Sequence, residues 1–125
     1  MRIGELAEKA GVTPRTIRYY ENLGLISPSE REGTGFRYYT EVELARLRKI
    51  DALKALGLTL EEISSIIDLF FEEPTMLRGK QKLLEILQAH LKETDEKLEA
   101  LQQFRSDLQA NITKIQQYIE QLSGQ

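Results

Sequence analysis

At 125 residues, 41% of them hydrophobic and 30% charged, the chain is long enough for one ordinary domain and an appendage but not for two large cores. It has no cysteine, no tryptophan and one histidine, His90, which excludes disulfide frameworks, thiolate metal sites, cysteine-ligated clusters and cysteine nucleophiles and leaves little chemistry for catalysis. The formal net charge of -3 is unevenly placed: residues 1–58 carry ten Lys/Arg against eight Asp/Glu and residues 59–125 seven against twelve, so the front half permits a polyanionic partner.

The longest apolar runs, as in SIIDLFF, are far short of a membrane span, and Arg2 and Glu5 interrupt the N-terminus where a signal peptide would need an apolar core. A soluble cytoplasmic protein with no membrane partner is expected. The first element is IGELAEKA, Ile3 to Ala10, with Ile3, Leu6, Ala7 and Ala10 on one helical face. Gly11 closes it, and Thr13 followed by Pro14 opens a second helix as N-cap and first helical residue. That helix, PRTIRYYEN, runs to about Asn22 or Leu23 and ends at Gly24.

Ala7, Gly11 and Ile17 have the spacing by which a helix-turn-helix brings its two helices together. With Ile17 inward, Arg15, Thr16, Arg18, Tyr19 and Asn22 spread over the remaining circumference and Tyr20 flanks the buried stripe. Arginines bind phosphates or read guanine edges, tyrosine hydroxyls donate to phosphate oxygens, and the helix N-terminus adds its own positive end. A solvated face with partly buried rings would use the same residues. Tyr20 can serve both readings, its ring packed and its hydroxyl offered to a phosphate.

Between Ser27 and Tyr39, Pro28, Gly33 and Gly35 precede Phe36-Arg37-Tyr38-Tyr39, which predicts a β-hairpin wing with Arg31 near its tip. In an extended strand Arg37 and Tyr39 face one way, Phe36 and Tyr38 the other. Thr40 with Glu43 and Thr59 with Glu62 are capping-box spacings. The first opens VELARLRKIDALKAL, with Leu44, Leu47, Leu53 and Leu56 expected on one buried face and Gly57 as its stop; the second opens LEEISSIIDLFF, a further helix ending before Pro74. Phe70, Phe71 and Met76 are expected to pack in a core, although a small apolar effector could sit there.

From Gly79 onward the register becomes heptad. Leu84, Leu87, Leu91, Leu98, Leu101, Leu108, Ile112, Ile115, Ile119 and Leu122 alternate steps of three and four, with Thr94 and Arg105 as the polar exceptions. One long helix cannot bury such a seam alone, so a partner helix, most simply that of a second subunit, is required.

IGELAEKAGVTPRTIRYYENLGLI, GFRYYTEVELARLRKIDALKALGLTLEEI and the long helix after them resemble the MerR family of bacterial transcription regulators over essentially the whole chain. The resemblance implies a mostly α fold: a winged helix-turn-helix DNA-binding domain (1–73), a linker (74–78), a dimerisation helix (79–122) forming an antiparallel dimeric coiled coil, and a tail (123–125). It further implies a homodimer on double-stranded DNA, bound at a near-palindromic operator between promoter hexamers and distorting the spacer for RNA polymerase, in a bacterial, nucleoid-associated setting. Arg15, Arg18 and Tyr20 match recognition-helix contacts with Thr13 and Tyr19 beside them, and Arg31, Arg37 and Tyr38 match wing contacts.

The family's metal- and redox-sensing cysteines are missing, and with the sequence ending at Gln125 no drug-binding domain is expected. No cofactor or metal is expected, since His90 and Glu93 alone are a poor site. A small-molecule effector, if there is one, is unidentified. An architectural DNA-binding protein without an effector and a plain coiled-coil interaction module are the competing readings. An enzyme is not expected: there is no Gly-rich phosphate loop, and Glu61, Glu62, Glu72 and Glu73 read as caps and surface charge.

Overall fold

The computed structural model describes residues 1–27, 30–31 and 37–124, residues 30, 31 and 37 through their backbone alone. Its elements are α1 (Ile3–Ala10), α2 (Pro14–Asn22), β1 (Glu30–Arg31), β2 (Arg37–Tyr38), α3 (Glu41–Ala55), α4 (Leu60–Ile66), a 3-10 turn (Ile67–Phe71) and α5 (Leu77–Ser123). Pro28, Gly33, Gly35 and Phe36 of the expected wing lie outside the described residues.

The turn between α1 and α2 follows from its residues. Gly11 has φ 71, a left-handed value that a side chain would strain, and the Val12 amide donates back to Ala7 O at 3.0 Å. Ala7 and Ile17 are both buried where the helices cross, and Leu6, Ile17, Leu25, Tyr39, Ile50, Leu53, Ile63 and Ile67 form the fully buried centre. Both capping boxes are present. At α3 the Glu43 carboxylate, although only 5% exposed, accepts from the Thr40 amide at 2.6 Å and from its hydroxyl at 2.7 Å, so the buried charge is met by donors.

Two expected details differ. Leu56 is 52% exposed, because α3 stops at Ala55 and Gly57, at φ 96, turns the chain so that Leu58 re-enters the core; the inward stripe uses Ile50 instead. The segment after Thr59 does not continue as one α-helix: it tightens at Ile67 into the 3-10 turn, which buries Ile67 and Phe70 and leaves Phe71 at 42% exposure.

Met76, at φ 56, precedes α5, which begins two residues before Gly79. Gly79 is buried, and a Cβ built there would lie 2.7–2.9 Å from the Phe70 ring. The chain divides by its contacts into Met1–Leu83 and the stretch from Leu84 onward. In the second unit the seam is wet: Leu84, Leu91, Leu98, Leu101, Leu108, Ile112, Ile115, Ile119 and Leu122 are each 47–75% exposed, and Leu87 is half-buried. Phe104 and Tyr118, off the seam, are also exposed and widen the apolar stripe.

Gly79→Ala separates propensity from packing. Alanine favours an open helix interior over glycine by about 1 kcal/mol, whereas contact with a buried ring costs about 1–3 kcal/mol. The expected net result is a lower urea midpoint, and a raised midpoint would show that Phe70 does not press on this backbone.

Candidate nucleic-acid interface

Helix α2 is built to present its N-terminal half. Thr13 accepts the Thr16 amide at 3.1 Å through its Oγ1, which also shares a hydrogen bond with Thr16 Oγ1 at 3.0 Å, and Pro14 occupies the first turn. There is no acid in that turn, so the positive end of the helix is uncompensated. Arg15 and Arg18 are exposed, and among the described residues neither is drawn into an ion pair. Tyr19 is 47% exposed, whereas Tyr20 is only 5% exposed.

The dual use expected of Tyr20 has a geometry. Its ring is buried and lies 6.1 Å from that of Tyr19, while its hydroxyl accepts a hydrogen bond from Lys54 Nζ at 3.3 Å. Lys54 comes from the last turn of α3, and its ammonium also lies 6.0 Å from the Tyr20 ring centroid. The exposed Lys54 thus joins an α2 tyrosine as an ammonium and a phenol side by side, which can grip one phosphate from two donors. Sequence reading missed Lys54, since a basic residue in a helix's last turn is ordinarily read as a partner of the helix dipole.

Tyr39 locks this helix to the wing. Fully buried, it donates its hydroxyl to Glu21 Oε1 of α2. Its backbone exchanges two bonds with Met1: the Tyr39 amide donates to Met1 O and the Met1 ammonium donates to Tyr39 O, each at 2.6 Å. The strand immediately before it pairs antiparallel with β1 in the register Glu30 with Tyr38 and Arg31 with Arg37. Tyr38 is 39% exposed, so the alternation expected of the wing holds at Tyr38 and Tyr39.

A second missed residue, Arg46 of α3, carries structure. Its Nε donates to Leu25 O at 2.8 Å, its guanidinium pairs with Asp68 at 2.8 Å, and it stands 5.6 Å from the centroid of the Phe71 ring. One side chain so connects the exit of α2, α3 and the 3-10 turn. The heptad-like leucines around it gave no hint, because its partners are a carbonyl and a residue distant in sequence.

Tyr39→Phe removes the hydroxyl that Glu21 binds inside the core. The expected cost is about 1–3 kcal/mol of unfolding free energy, measured by urea denaturation; a loss below the error of the fit would show that the carboxylate is solvated instead.

The family described as "MerR HTH family regulatory protein" matches residues 1–69, and "MerR, DNA binding" matches residues 44–111. The chain is 35% identical over 109 residues to the uncharacterized HTH-type transcriptional regulator PA4778 of Pseudomonas aeruginosa, covering 87% of this chain and 80% of that one. Its fold is similar to the transcription regulator PbrR691 of Ralstonia metallidurans CH34, solved in complex with lead(II), with a TM-score of 0.70 and 35% identity over 87% of this chain and 84% of that one. It is also similar to EcmrR, solved by cryo-electron microscopy as a DNA complex in EcmrR-RPo, with a TM-score of 0.54 and 26% identity over 83% of this chain and 38% of that one.

Proposed function

Because the chain belongs to the MerR family of helix-turn-helix regulators, DNA-binding proteins that control transcription, we propose that it works as a homodimer that grips a near-palindromic promoter operator and distorts the spacer between the hexamers for RNA polymerase. The observation that carries this reading is the pairing of an uncompensated α2 N-terminus, flanked by exposed Arg15, Arg18 and Tyr19, with a 47-residue helix whose apolar stripe is open to solvent.

Thr13 sets the start of α2 and so aims Arg15 and Arg18 at the DNA. Tyr20 and Lys54 hold a phosphate together, and the wing adds Arg31, Arg37 and Tyr38. Bending a site of this size costs on the order of 1–6 kcal/mol, which phosphate contacts on two half-sites can offset. We assign DNA binding to residues 1–73 and dimerisation to 79–122; α5 itself runs from Leu77 to Ser123, so it takes in the last two residues of the expected linker (74–78) and the first of the expected tail (123–125).

Among the described residues no helix is long and apolar enough to cross a membrane, and a cytoplasmic, nucleoid-associated protein fits the role. Binding of a soft cation through thiolates is closed to these cysteine-free residues. An effector, if one acts, must therefore be recognised by other chemistry.

Selection of bound genomic fragments followed by footprinting tests the reading directly. One protected near-palindrome between promoter hexamers is expected; diffuse protection without a preferred site would make the protein architectural instead. On the selected site, Lys54→Ala is expected to weaken binding similarly across sequences and to reduce the log-log salt slope by about 1. Arg15→Ala and Arg18→Ala are each expected to cost about 1–3 kcal/mol where the arginine reads a base, and an unchanged affinity in both would remove α2 from the interface.

The dimer has its own test. Leu98→Lys with Leu101→Lys places four charges in the paired seam, so light scattering should report a monomer and gel shift should show operator binding lost at concentrations where the parent is saturated. A monodisperse dimer of this variant would refute the seam.

A further inference from the structure

We infer that the two polar residues of the α5 seam face each other across the dimer, Arg105 of one protomer against Thr94 of its partner, and that this pairing sets the register of an antiparallel coiled coil. The inference rests on the dimer reading above and adds to it which residues meet.

The Thr94 hydroxyl donates to His90 O at 2.8 Å in its own helix, so its proton is committed and a lone pair remains. Arg105 has donors only. An acceptor without a free proton and a donor without a lone pair are complementary, whereas two copies of either are not. A parallel in-register dimer would place Arg105 against Arg105, two permanent charges in one apolar layer with no acceptor between them. Two-fold antiparallel pairing avoids this.

The heptad spacing then selects one alignment. With Thr94 opposite the partner's Arg105, Leu98 falls opposite Leu101, Leu91 opposite Leu108, and Leu84 opposite Ile115, so every other layer across this stretch is aliphatic on both sides. Asp95, the residue after Thr94, lies within one residue of the same level and supplies a carboxylate for the guanidinium at the edge of the seam. Sliding the helices by one heptad in one direction sets Arg105 against Leu101 and Thr94 against Ile112; sliding in the other sets Arg105 against Leu87 and Thr94 against Leu98. By symmetry each slip creates four mixed layers and leaves two guanidiniums facing leucine. A polar residue at a core position of a coiled coil commonly fixes register in this way, at some cost in stability.

The absence of native cysteine makes disulfide trapping clean. Leu91→Cys with Leu108→Cys leaves Thr94 and Arg105 in place, and in the stated register air oxidation should yield a covalent dimer on a non-reducing gel. Neither single variant should cross-link, because like positions then lie roughly 25 Å apart along the axis, seventeen residues at a rise of about 1.5 Å each. Leu84→Cys with Ile115→Cys is the second pair, should the first disturb folding, and should cross-link equally. Efficient cross-linking of Leu91→Cys alone would overturn the antiparallel pairing. A dimer by light scattering in which neither double variant cross-links would overturn the register while leaving the dimer standing, and a monomeric parent protein would overturn the dimer reading itself.

The role of the polar pair is tested by adding Thr94→Leu and Arg105→Leu to the Leu91→Cys, Leu108→Cys background. The dimer should persist while the cross-linked yield falls at least twofold as registers mix. An unchanged yield would show that something else sets the alignment.

Discussion

The buried hydroxyl of Tyr39 bonded to the Glu21 carboxylate is the constraint on which the front of the molecule depends. A two-residue strand pair has no stability of its own, and helix α2 has only nine residues, too short to persist alone in water. Tyr39 joins them by placing its ring in the core, its hydroxyl on α2 and its backbone against Met1. The orientation of β2 relative to α2 is thereby set by one side chain rather than by sheet or helix propensity. A carboxylate is costly at that depth, and the phenol donates to one of its oxygens, Oε1.

Arg46 performs the corresponding task behind the interface. Its carbonyl, carboxylate and aromatic partners come from the exit of α2 and from the 3-10 turn, so α3 becomes the strut between the first helix pair and the second. Since Asp68 is itself well exposed, its ion pair with Arg46 contributes little by charge alone. The guanidinium counts mainly as a planar donor that satisfies Leu25 O and covers Phe71. The two tie points leave the exposed side of α2 without structural duties. That freedom leaves Arg15, Arg18 and Tyr19 available to a ligand.

The helices were legible where a residue type has one dominant local use. Thr13-Pro14, Gly11 and both capping boxes are solved by neighbours within four residues, and each stands where the pattern places it. Leu56 was misplaced because helical periodicity was carried one residue past Ala55, where α3 ends ahead of the turn at Gly57. Lys54 and Arg46 were illegible for a different reason: their partners, Tyr20, Leu25 and Asp68, are 21 to 34 residues away, and no local pattern encodes such a pairing. The same holds for the dependence of Gly79 on Phe70, where a glycine in a helix signals only that something approaches closely. The front site was therefore readable as a set of residue types on α2, but the residues that hold it in place became visible only with the fold.

A polar pair in an otherwise aliphatic seam makes sense when stability and register are weighed separately. Leucine at positions 94 and 105 would bury more apolar surface, yet it would make the alignments one heptad apart nearly degenerate. A slip of one heptad moves one helix past the other by roughly 10 Å, and whatever is attached to the start of each helix moves with it. For a protein proposed to read two half-sites on DNA, whose repeat is about 34 Å, a displacement of that size is close to a third of the repeat. The free-energy difference between registers therefore bears on function in a way that the total dimer stability does not. On the proposed pairing, Thr94 and Arg105 give up some burial, and in return a seam of near-identical leucines becomes a ruler of one length.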